Sequence, residues 1–61
     1  MSKSDLLRAI QFQNDCTPSE AMAIIKEMAE LILEGENPED LLFDEGLEPD
    51  YVLALLEFAY N

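Results

Sequence analysis

Apolar residues recur along this chain at the three-to-four-residue spacing of helices, and no segment alternates in the manner of a strand. The pattern breaks into four runs, which predict helices over about 5–14, 18–34, 38–44 and 49–60. Three of the runs open on the same punctuation, Thr17-Pro18-Ser19-Glu20, Asn37-Pro38-Glu39-Asp40 and Glu48-Pro49-Asp50-Tyr51. Proline in the first turn gives up an amide that has no intrahelical partner, Thr or Asn before it accepts from the next amides, and early acids suit the positive end of the helix dipole. Thr17 with Glu20 has the spacing of a capping box. Gly35 and Gly46 stand where the helices before them need a residue at positive φ. Leu47, just after Gly46, is placed to pack back on Leu42 and forward on Val52, fixing the bend between the third and fourth helices.

The faces of these helices differ in width. On the second, Ser19, Glu20, Lys26, Glu27, Glu30 and Glu34 share one strip, and the rest of the circumference is apolar from Ala21 to Leu33. On the fourth, Asp50, Glu57 and Asn61 are the only polar line beside Tyr51, Val52, Leu53, Leu55, Leu56, Phe58 and Tyr60. Such arcs exceed one core-facing stripe and must be covered on more than one side. Either the short first and third helices wrap them, or a second copy or another partner completes the core, and a homodimer is the expectation. The expected fold is therefore an all-α single domain spanning 1–61, a small bundle of about four helices.

Composition sharpens this picture. With 61 residues the chain buries only about 60% of the surface it exposes when unfolded. Its 49% apolar content nevertheless separates it from acidic disordered tails. One cysteine and no histidine leave neither a disulfide framework nor a zinc-type cluster nor an imidazole base. Cys16, next to the Thr17 cap and facing Ala21, reads as a small buried hydrophobe. The polar opening Met-Ser-Lys-Ser-Asp and the lack of a membrane-length apolar run lead to the expectation of a soluble, cytoplasmic protein with no membrane partner.

Charge is distributed unevenly. Residues 1–26 are neutral, with Lys3, Arg8 and Lys26 against three acids, and residues 27–61 hold eleven acids and no cation, the whole of the formal net charge of −11. Phosphate binding rests on Lys and Arg, so direct nucleic-acid binding is not expected, and the natural partner is a basic protein surface. Solvation accounts for acids at helix starts, among them Glu20, Glu39, Asp40 and Asp50, and Lys26 with Glu30 has the spacing of an i,i+4 pair. It accounts less well for Glu30 and Glu34 in the last turn of the second helix, Glu36 beyond it, and Asp44 and Glu45 ending the third. Carboxylates there oppose the helix dipole by roughly 0.3–1 kcal/mol each. The candidate protein-binding face is accordingly Glu30, Glu34, Glu36, Glu39, Asp40, Asp44, Glu45 and Glu48, against the alternative that the acids serve solubility alone. Tyr51, Phe58 and Tyr60 are candidate hydrophobic contacts.

Catalytic and cofactor chemistry finds no support. No Ser, Cys or Lys has a base beside it, paired carboxylates in a chain this short lack a desolvated cleft, and neither acidic loop has the ligand ladder of an EF-hand. Ser4-Asp5-Leu6 inverts the order of an acyl-carrier attachment site. No enzyme activity, cofactor or metal is expected.

From Glu27 onward the run Gly35-Glu36-Asn37-Pro38-Glu39-Asp40-Leu41-Leu42, then Gly46-Leu47-Glu48-Pro49-Asp50-Tyr51-Val52, then Ala54-Leu55-Leu56-Glu57-Phe58-Ala59 resembles the small VapB-like antitoxin family of unknown function, found beside VapC-type toxins. The resemblance implies three helices of helix-turn-helix type and, by extension, an antitoxin-like DNA-binding regulator. The chain departs from the family before Glu27, where Leu6, Leu7, Ile10 and Phe12 form an amphipathic helix in place of a β-rich Gly-Thr-Arg segment. A recognition helix also needs cations or amides at base edges, and 49–60 has none. The preferred expectation is thus an interaction protein that binds and regulates or inhibits a basic, nucleic-acid-binding partner. The DNA-binding regulator and a structural homodimer are its rivals.

Overall fold

A computed structural model describes residues 2–60 and consists of helices and turns throughout: α1 Lys3–Asn14, α2 Pro18–Leu33, α3 Pro38–Asp44, a 3-10 turn Pro49–Tyr51, and α4 Val52–Tyr60. The protein is a small all-α bundle with principal extents of 28 × 20 × 19 Å. Helix α1 begins two residues before its expected start because Ser2 and Asp5 form a second capping box. The Ser2 hydroxyl accepts from the Asp5 amide at 3.2 Å, and the Ser2 amide donates to the Asp5 carboxylate at 3.0 Å. Thr17 and Glu20 repeat the arrangement on α2, and the Asn37 side chain accepts from the Glu39 amide at 2.8 Å. Glu48 makes no side-chain cap, and the first turn of the last expected helix is accordingly 3-10.

Both glycines end helices as expected. At the end of α2 the Gly35 and Glu36 amides donate to the Ile32 and Leu31 carbonyls, and at the end of α3 the Gly46 and Leu47 amides donate to Phe43 and Leu42. Each is the doubly bonded Schellman arrangement. Helix α1 stops on Asp15 at φ 50°, a left-handed position that Asp tolerates without a glycine. At Gly46, φ is +77° and the Gln13 side chain lies where a Cβ would stand. Gly46→Ala is expected to lose roughly 1–2 kcal/mol of stability, measured as a lower urea midpoint.

The core is Leu6 and Ile10 of α1, Ala21, Ile25, Met28 and Ile32 of α2, Leu42 of α3, and Ala54 and Leu55 of α4. Helix α2 packs against α1, α3 and α4, which gives its wide apolar arc the multiple cover it requires. Leu47 and Val52 are half-buried against the core around the α3–α4 bend. Among the described residues no polar or charged residue is buried. Not every apolar residue is covered. Phe12 falls off the Leu6–Ile10 stripe and is 88% exposed, and Leu33, Leu53 and Phe43 also face out. Helical spacing explains this, since Phe12 lies two residues beyond Ile10 and Leu53 two before Leu55, each about 200° around its helix from the buried neighbour.

Candidate functional site

The acids of the second half of the chain do not form one patch. Glu27 on α2 and Asp44 and Glu45 at the end of α3 line a shallow groove between the two helices, whereas Glu30 and Glu34 lie on the neighbouring outer strip of α2 with Ala23 and Lys26. The part enclosed between α2 and α3 holds about 260 Å³ and is floored by Ile24, Met28, Leu31 and Leu41. The outer strip of α2 has only Glu27 and Leu31 in common with it and takes no residue from α3. Helical periodicity places Glu27, Glu30 and Glu34 on one line, and Ile24 and Leu31 one step toward the core from it. Glu45 is half-buried and held in place by the Asn14 side-chain amide, which donates to its carboxylate at 3.3 Å while also donating to the Ile10 carbonyl at 3.0 Å.

The other expected site residues lie apart from this groove. Glu36, Glu39 and Asp40 are exposed in the α2–α3 loop and first turn of α3. Glu39 and Asp40 there suit the dipole. Glu48 and Tyr51 line a second groove of about 690 Å³, between α1 and the α3–α4 bend, with Asp5, Arg8 and Phe12. Phe58 is half-buried with the Lys3 ammonium 5.0 Å above its ring, a cation–π contact that ties α1 to α4. Tyr60 is 66% exposed at the end of α4. The three aromatics therefore do not converge on the acidic groove, whose apolar contacts are aliphatic. Glu27 and the floor residues escaped the sequence reading, although the spacing Glu27, Glu30, Glu34 carried the signal.

Cys16 is half-buried beside the α2 cap. Burial pushes its thiol above the ordinary value of 9.0, with the Glu20 and Asp15 carboxylates acting in the same direction. Asp5 and Glu20 shift the other way, their carboxylates held ionised by hydrogen bonds from Ser2 and Thr17. Because the folded thiol holds its proton more tightly than the unfolded one, its contribution to stability is present below pH 9.0 and is lost as pH rises through the folded value. Alkylation of Cys16 by iodoacetamide is accordingly expected to be several-fold slower in the folded than in the urea-unfolded protein at pH 8, which mass spectrometry of timed samples would check.

Among the described residues no three His, Cys, Asp or Glu side chains come together in a way that could hold a metal ion. No described helix is long and apolar enough to cross a membrane. No known family pattern, curated protein or solved structure matches this chain.

Proposed function

We propose that this protein binds a basic surface of another protein through the α2–α3 groove, and by occupying that surface regulates or blocks the partner. The observation that carries this reading is the meeting of acids from two helices around one aliphatic pocket, Glu27 of α2 with Asp44 and Glu45 of α3 beside Ile24, Leu31 and Leu41. Acids that only keep a protein soluble have no reason to bracket half-buried aliphatic side chains, nor to gather at helix C-termini. Clustered negative charge raises the encounter rate with a cationic partner, and the aliphatic floor supplies contact area once encounter has occurred. A nucleic-acid-binding protein fits the charge, with the carboxylates standing in for phosphates.

The DNA-binding alternative implied by the VapB-like resemblance meets a physical objection in α4, where Val52–Tyr60 contains no Lys or Arg. Self-association is favoured by a separate observation, the exposure of Phe12, Phe43, Leu33, Leu53 and Tyr60. Equilibrium sedimentation decides it: a concentration-independent mass of 6.9 kDa excludes the homodimer.

The reading as a whole is tested by capture from an extract of the source cell, with the retained proteins identified by mass spectrometry and eluted in a salt gradient. Basic proteins released between low and moderate salt are expected, and no retardation of DNA fragments by the protein itself. Retardation of DNA at moderate salt, or capture indifferent to salt, would overturn the reading.

A further inference from the structure

The groove between α1 and the α3–α4 bend carries both a cation, Arg8, and an exposed aromatic ring, Phe12. We propose that this face is where two copies of the chain meet, each Phe12 ring entering the groove of the other copy and each Arg8 pairing with the other copy's Glu48. The α2–α3 groove is left free, so a basic partner and a second copy occupy different faces.

Helical spacing puts Asp5, Arg8, Ala9 and Phe12 on one stripe of α1, which forms one wall of the groove, and Leu47, Glu48 and Tyr51 belong to the other. Phe12 stands on the rim, almost wholly exposed, beside a recess of about 690 Å³. A knob and a recess on one face, with charges of both signs between them, are complementary to their own copy across a two-fold axis.

Charge selects this occupant. Two chains of net charge −11 repel wherever only acids meet, so their contact needs a cation within it. The chain has three. Lys3 is held over the Phe58 ring, and Lys26 lies on the outer strip of α2 among Glu27, Glu30 and Glu34, where no large apolar residue is exposed. Arg8 is the one that lines a recess with an exposed aromatic at its rim. Of the two acids in that recess, Asp5 accepts from the Ser2 amide, while Glu48 is exposed and makes no side-chain cap, which leaves Glu48 to take Arg8. A foreign basic surface would meet Arg8 as like charge, and a foreign acidic one would meet the net charge of the whole chain. Two Phe rings bury about 300–500 Å² between them. The interface is therefore a small one, and its association weak and reversible, with a Kd of roughly 10–100 μM.

Sedimentation equilibrium of the full chain at rising concentration is expected to show a mass climbing from 6.9 kDa toward twice that value. Association should be tighter at physiological than at low salt, because screening weakens the repulsion between copies. In the same samples the amide resonances of residues 5–13 and 46–51 should shift with concentration while those of 23–34 hold still. Phe12→Ala is expected to weaken association at least about tenfold, and Phe43→Ala, which removes another exposed ring, to leave it unchanged. Arg8→Glu and Glu48→Arg should each weaken it about tenfold alone and restore it when the two variants are mixed, since only the mixture sets opposite charges at both contacts. The resonance measurement on the unmodified chain stands whether or not a variant folds. The proposal is overturned by a mass fixed at 6.9 kDa, by association that salt loosens or that Phe12→Ala leaves intact, by a loss that Phe43→Ala reproduces, by a mixture no tighter than its components, or by concentration-dependent shifts centred on Leu53 and Tyr60.

Discussion

Leu55→Ala is expected to remove about half of the stability of this protein. Leu55 is wholly buried on α4, in one cluster with Leu6 and Ile10 of α1, Ile25 of α2 and Leu42 of α3. Removing its isobutyl group loses the transfer free energy of the buried carbons and leaves a cavity that rigid helix backbones close only in part, together about 2–5 kcal/mol. A domain of this length has a total stability of roughly 3–9 kcal/mol at the usual yield per residue. One substitution therefore removes about half of it at the middle of both ranges. Leu53→Ala is the control, because Leu53 lies two residues away on the same helix and is 70% exposed, and its loss is expected to stay within about 0.5 kcal/mol. Urea unfolding of the two variants checks the orientation of α4 directly. Equal losses would mean that the outer face of α4 is covered in solution.

Reversing Glu34 and Asp44 to lysine is expected to move stability and binding in opposite directions. Both residues sit at helix C-terminal ends, Glu34 as the residue capping α2 and Asp44 as the last of α3, and neither helix has a basic residue in its last turn. A cation there complements the dipole, and removing a carboxylate from a segment without cations relieves repulsion. The melting temperature should rise by roughly 2–8 °C for each reversal. The same reversals place like charge against a basic partner at the groove, through Asp44, and on the adjoining strip of α2, through Glu34. Association should slow by about tenfold or more and lose most of its salt dependence, with a smaller change in dissociation, because peripheral charges act on encounter. If the acids serve solubility alone, the rise in melting temperature stands and the association rate does not change. Thermal melts and surface-immobilised kinetics on the captured partner separate the cases.

Much of the fold was legible in the sequence because its helix ends are written locally. Capping boxes, prolines in first turns and glycines just past last turns are read within four residues, and those read from the sequence formed as expected except the Glu48-Pro49 start, which opens as a 3-10 turn without a side-chain cap. The early start of α1 was missed although Ser2 and Asp5 carry the same signature as Thr17 and Glu20. The left-handed Asp15 was missed because Asp adopts that conformation in only a minority of its occurrences. The groove was legible only by half. Periodicity along α2 aligns Glu27 with Glu30 and Glu34, but the approach of Asp44 and Glu45 to Glu27 depends on how α3 returns against α2 after the Gly35 turn. That return is set by Leu41 and Leu42 packing, a tertiary fact with no local mark. The same holds for Glu48 and Tyr51, adjacent in sequence to the acidic run yet folded toward α1, and for Phe12, whose place beside Ile10 in an apolar list hid its position on the far side of the helix.

The measurement that tests the binding face most directly is a hydrogen-exchange footprint of this chain in complex with its captured partner. Protection on binding is predicted for residues 23–34 and 41–45, with the α1 side of the molecule around Arg8, Phe12 and Tyr51 exchanging as in the free protein. Protection confined to α1 and the α3–α4 bend, or centred on the exposed face of α4 at Leu53 and Tyr60, would place the partner elsewhere and contradict the account.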